Sequence, residues 1–153
     1  MHKIPPILAA VALTAFAVLS PIPASAAGDP LQDRVDQVLA EYPGGTQTGE
    51  GEISWNDGEI ILTLTEGISS RAVGSCSTGS FCAYTGTALS GARLSFTNCT
   101  GTNSVAPLGS PVRSFANARS AGTVSAYNGS TAVASASAGT YKNTTGTITR
   151  LGC

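Results

Sequence analysis

Cys76-Ser77-Thr78-Gly79-Ser80-Phe81-Cys82-Ala83-Tyr84-Thr85-Gly86-Thr87-Ala88-Leu89-Ser90-Gly91-Ala92-Arg93 is the stretch on which the fold turns. Two cysteines with five residues between them bring the chain into a short apolar run at Phe81–Tyr84. A Gly-, Ser- and Thr-rich break follows, and a second run begins at Arg93–Phe96. Beyond it the pattern repeats: Val112–Phe115, Thr123–Tyr127, Thr131–Ala134 and Thr147–Leu151 are strand candidates, and Asn128-Gly129 carries the signature of a type I′ hairpin turn. Many short strands with frequent turn residues imply a β-sandwich or barrel. The Gly and Ser content alone would also suit a disordered chain, but the aromatics, β-branched residues and cysteines favour a packed one.

The same region lacks the usual carriers of chemistry. From residue 67 to 153 there is no Asp or Glu, where average composition would give roughly ten. Six bases remain: Arg71, Arg93, Arg113, Arg119, Lys142 and Arg150. The one histidine of the chain, His2, lies at the extreme N-terminus. General acid–base catalysis leans on His and carboxylates, and calcium sites on carboxylate oxygens. A serine nucleophile would have no histidine to activate it. The expectation is a non-catalytic binding protein without cofactor or metal.

Toward the N-terminus the reading changes. Lys3, the apolar stretch Ile7 to Leu19 and the small residues Ala24-Ser25-Ala26 read as an export signal over residues 1–26, leaving a mature chain of 127 residues. That length suits one small domain. Residues 27–66 hold nine acids and one base, net −8, whereas residues 67–153 net +6. Opposite blocks attract, so the acidic part is expected to dock on the basic one. Asp29 can cap a helix with Pro30 at its first position and Gln32 completing a capping box. Leu31, Val35, Val38, Leu39 and Tyr42 fall on one helical stripe, which Pro43-Gly44-Gly45 ends. Glu52–Trp55 and Glu59–Thr65 flank Asn56-Asp57-Gly58 as a β-hairpin, with Ile60, Leu62 and Leu64 sharing one face. Ile68 to Ser75 reads as a linker.

The four cysteines, Cys76, Cys82, Cys99 and Cys153, are an even number in a chain expected to be exported, and disulfides follow. Three connectivities are open to them. Cys76 and Cys82 can close a tight loop, which leaves Cys99 for Cys153. Chain entropy gives that arrangement roughly 2.4 kcal/mol for the short loop and roughly 4 kcal/mol for the long one.

The quoted stretch resembles the start of the Streptomyces metalloproteinase inhibitor family, through its Cys-x5-Cys spacing, the following Tyr84 and the run Leu89-Ser90-Gly91-Ala92-Arg93. Arg113-Ser114-Phe115-Ala116-Asn117 fits a second stretch. The likeness covers about residues 74–128 well and residues 129–153 weakly. It implies a secreted inhibitor with a βγ-crystallin-like fold. It further implies that Tyr84, Leu89 and Gly91 form a Greek-key signature, in which the aromatic ring packs on a hairpin folded over the sheet. Crystallin-type calcium sites use Asn or Asp pairs ahead of Ser-Ser. Here Gly109-Ser110-Pro111-Val112-Arg113-Ser114 offers no carboxylate, and calcium binding is not expected. The family pins its reactive loop with a second short-range disulfide, but Ser130–Gly139 contains no cysteine, so inhibitory residues do not carry over.

The combined expectation is a mainly β protein: a βγ-crystallin-like Greek-key β-sandwich over 74–153, preceded by an acidic helix-plus-hairpin segment over 27–73. The expected function is secreted, non-catalytic inhibition of an extracellular metalloprotease or serine protease. The alternative is a structural module that binds an anionic cell-surface polymer. The bases are too scattered for nucleic acid, no membrane association is expected once the signal is cleaved, and a monomer is expected.

Overall fold

The computed structural model describes residues 28–64 and 76–153. The expected export signal and the Ile68–Ser75 linker lie outside the described residues, as does the end of the second hairpin strand. The chain opens with α1 (Pro30–Glu41) and continues through β1 (Thr46–Gly49), β2 (Glu52–Trp55) and β3 (Ile60–Thr63). Then come β4 (Phe81–Tyr84), β5 (Arg93–Phe96), β6 (Thr102–Ser104), β7 (Ser114–Asn117), β8 (Thr123–Asn128), β9 (Thr131–Ser137), β10 (Thr140–Asn143) and β11 (Arg150–Gly152). The protein is mainly β. Seven strands form an antiparallel sheet in the order β1-β2-β3-β5-β4-β7-β10, and four form a second in the order β6-β11-β8-β9.

One core joins the two sheets. Phe81, Leu94, Phe96 and Phe115 from the larger sheet pack with Val124, Ala126, Ala136 and Leu151 from the smaller. Phe81 pairs with Phe96 across the β4–β5 ladder, their rings stacked with centroids 5.2 Å apart. The acidic part contributes to the same core through Val35, Val38, Ile53, Trp55 and Leu62.

It is joined to the basic body by a strand ladder as well as by the shared core. β3 pairs antiparallel with β5, Ile60 opposite Phe96 and Leu62 opposite Leu94, so the acidic hairpin extends the sheet of the basic body. The ladder therefore joins the segments expected to divide at residues 73/74. At its rim the Glu59 carboxylate accepts from the Asn98 side-chain amide at 3.2 Å. A strand that already presents an open edge and an apolar face docks by these means whatever its net charge.

The local chemistry differs from expectation at two points. Asp29 caps α1 by accepting from Leu31 N at 2.9 Å, but Gln32 does not close a capping box. Its amide donates to Asp36 Oδ1 and exchanges hydrogen bonds with the Gln47 side chain on β1. An amide-to-amide pair satisfies both partners and ties the helix to the sheet. The second difference is the β8–β9 turn. Asn128 pairs with Thr131, so the loop is Gly129-Ser130, and only Gly129 takes a positive φ (59°). A type I′ turn at Asn128-Gly129 would need both of those residues there.

Boundaries also move. The strand expected at Val112–Phe115 lies at Ser114–Asn117, and that expected at Thr147–Leu151 at Arg150–Gly152. The three unforeseen strands, β1, β6 and β10, are all sheet edges.

Candidate functional site

The decisive stretch builds a hairpin folded over the outer face of the larger sheet. Cys76 and Cys82 form a disulfide, as do Cys99 and Cys153. Tyr84 is fully buried and packs with Cys76, Cys82 and Ala116, with Leu89 closing over them. Between β4 and β5 the chain doubles back: Thr85 N donates to Ala92 O and Gly86 N to Ser90 O. Ala88 and Leu89 take positive φ (51° and 62°), a costly conformation outside glycine. Two distant side chains hold it. Ser114 on β7 accepts from Leu89 N at 3.0 Å and donates to Gly86 O at 2.7 Å. Asn143 on β10 accepts from Ala88 N at 2.9 Å. Gly91 has φ +79°, and a side chain there would collide with the Thr85 hydroxyl. Tyr84, Leu89 and Gly91 thus build the hairpin and leave the solvent face to other residues.

Burial pushes the Tyr84 phenol above its ordinary range, opposed by the Arg93 charge and the Cys76 backbone. Its hydroxyl is buried without a well-formed hydrogen bond.

The open surface lies at the other margin. β9 is the free edge of the smaller sheet and β10 the free edge of the larger, joined through Ala138-Gly139. The exposed large hydrophobic residues among those described are Val133 (48%) on β9 and Tyr141 (49%) on β10. Val133 owes its exposure to the backbone. Ala126 pairs with Ala134 and Tyr127 with Ala132, so Val133 is the extra residue of a β-bulge. Bulges re-aim a side chain and often border functional sites. Beside Tyr141 a hollow of about 190 Å³ opens, lined by Cys76, Leu89, Ala116, Ala118 and Thr140.

β9 is braced at both ends without a covalent staple. At its start, Arg150 donates to Gly129 O from Nε at 3.1 Å and also from a terminal nitrogen, while Gly129 N donates to Thr149 Oγ1 at 2.9 Å. At its end, Asn117 Nδ2 donates to Ala136 O at 3.1 Å and to Gly122 O at 3.2 Å. Gly139 N returns to Asn117 O at 2.8 Å. The sequence signalled the cysteines and the hairpin residues but not Ser114, Asn117, Asn143 or Arg150 as braces, because each reaches residues remote in the chain or acts through a backbone atom. The arrangement offers a rigid extended edge with one raised apolar side chain. Among the described residues no three His, Cys, Asp or Glu gather as a metal-binding group. No helix among them is long and apolar enough to cross a membrane. No family model, no curated protein and no solved structure matches this chain.

Proposed function

We propose that this chain is an exported, non-catalytic protein of the peptidase-inhibitor type, which engages an extracellular metalloprotease or serine protease through the β9–β10 margin. The observation that carries the reading is β9: extended, open along one side, fixed at both ends, with Val133 raised from it. Partners that bind extended backbone add it as a strand and read its side chains in pockets. A segment already held in that form loses little freedom on binding.

Three further features support it. Residues 67–153 supply no His, Asp or Glu for proton transfer, so binding without turnover is the chemistry left to them. The sequence likeness to βγ-crystallin-like metalloproteinase inhibitors supports it, and in this chain Leu89 packs over the buried Tyr84 while Gly91 takes a positive φ. Two disulfides suit an oxidising compartment. The anionic-polymer alternative draws on the bases, but Arg150 is spent on Gly129 and Arg93 donates to Thr63 Oγ1 within the sheet.

The test is a panel of secreted metalloproteases and serine proteases assayed with stoichiometric amounts of the mature chain. At least one should be inhibited while the chain stays intact. Val133→Asp should weaken that inhibition by about thirtyfold or more, the effect of losing an interface hot spot. Digestion of the wild-type chain by every protease of the panel refutes the reading.

A further inference from the structure

The β8–β9 turn holds a pair of residues with chemistry of its own. Asn128-Gly129 is the one Asn-Gly step in the chain. Asn128 ends β8, is exposed, and pairs with Thr131 across the loop Gly129-Ser130. The other asparagines precede Asp57, Cys99, Ser104, Ala118 and Thr144. A side chain on the following residue crowds its peptide nitrogen, whereas glycine leaves that nitrogen open and the backbone free to rotate. Asn98, Asn103, Asn117 and Asn143 also keep their side chains in hydrogen bonds.

An Asn-Gly step can close on itself. The Gly129 nitrogen, giving its proton to hydroxide, attacks the Asn128 side-chain carbonyl carbon. A new C–N bond forms and the Cγ–Nδ2 bond breaks. The amide nitrogen leaves as ammonia, taking its third proton from water. The resulting five-membered succinimide then adds water and opens at either carbonyl. One opening leaves an aspartate at position 128. The other leaves an isoaspartate, in which the side-chain carbons have entered the main chain. Water and hydroxide are the only co-reactants, and nothing is oxidised or reduced.

The fold opposes the first step. Gly129 N donates to Thr149 Oγ1 at 2.9 Å, and that hydroxyl donates to Tyr127 O at 3.2 Å. Arg150 Nε holds Gly129 O at 3.1 Å. An amide nitrogen held in this way must leave its acceptor before it can swing onto the neighbouring side chain. Attack therefore waits on local opening of the turn. We infer that Asn128 is a self-modification site, converted through a succinimide at a rate that the Thr149 hydroxyl restrains.

The place of the change gives it consequence. Either product puts a carboxylate into residues 67–153, which otherwise have none, next to the residue whose carbonyl Arg150 grips. The isoaspartate also lengthens the backbone where Asn128 and Thr131 set the register, so the start of β9 loses its brace.

The folded wild-type chain is incubated in mildly alkaline buffer and followed by peptide mass spectrometry with an isoaspartate assay. The peptide holding Asn128 should gain the mass difference between an amide and an acid before any other asparagine peptide does. The same chain in denaturant should convert faster. Thr149→Val should speed conversion of the folded protein about fivefold, the factor carried by one hydrogen bond. Thr149→Ser keeps the hydroxyl and should match the wild type, with circular dichroism confirming that both variants fold. The inference falls if Asn128 of the folded wild type stays unchanged, if another asparagine converts first, if the unfolded chain reacts no faster than the folded one, or if the Val and Ser variants react at the same rate.

Discussion

Residues 27–66 and 67–153 differ in charge as two unrelated proteins would, at −8 and +6, yet they share one sheet and one core. The contrast separates two kinds of information. Net charge records how a surface meets solvent and other molecules. The alternation of apolar residues records which strands belong together, and here it overrides the charge partition: Ile53, Trp55 and Leu62 point into the core that Phe96 and Leu94 already occupy.

The most damaging way to break this comparison is to attack the shared ladder. Leu62 is fully buried opposite Leu94, and Leu62→Ala should lower stability by about 2–5 kcal/mol, read by denaturant or thermal unfolding. Raising salt should then leave release of the acidic part by limited proteolysis unchanged. If attraction between the blocks were the main attachment, salt would speed release and the substitution would cost little.

A smaller effect, confined to the basic body, is expected at Ser114. Ser114→Ala strips partners from Leu89 N and Gly86 O together. A loss of about 1–3 kcal/mol should follow, with hydrogen exchange accelerated across residues 85–92 and little altered in β2 and β3. Uniform acceleration through both parts would mean the hairpin is not a separable unit.

The smallest effect sharpens the comparison through two tyrosines. Both phenols are pushed up by burial, but Glu41 adds to the push on Tyr42 whereas Arg93 opposes it on Tyr84. A phenol raised in the folded state holds its proton there more firmly than in the unfolded chain. Its contribution is therefore complete below the ordinary value of about 10 and is lost as pH climbs past it. Tyr84→Phe should change stability by less than about 1 kcal/mol at neutral pH, since the hydroxyl has no well-formed bond to lose, and should flatten the alkaline decline. A large loss at neutral pH would reveal a partner for that hydroxyl.

The interior of the fold was legible and its margins were not. β2, β4 and β5 lie where apolar residues cluster or alternate between turn residues, and the boundaries read from sequence match them. β1, β6 and β10 read Thr-Gln-Thr-Gly, Thr-Asn-Ser and Thr-Tyr-Lys-Asn. An edge strand with little burial on either face has no reason to alternate, so periodicity is silent there. The candidate surfaces suffer from the same silence. Val133 stands out because one extra residue breaks the β8–β9 register, and Trp55 is buried because Gly45 lets the backbone lie against its indole. Register and close approach are properties of paired segments, and neither segment reveals them alone.

The bulge on β9 has a consequence for how the molecule behaves in company. A straight bare strand invites copies of itself to zip alongside, end to end, into fibrils. Displacing one peptide unit at Val133 spoils the even spacing that such stacking needs, and Lys142 on β10 sets a cation against its own duplicate. A displaced peptide unit on one bare border and a cation on the other both work against pairing with a second copy.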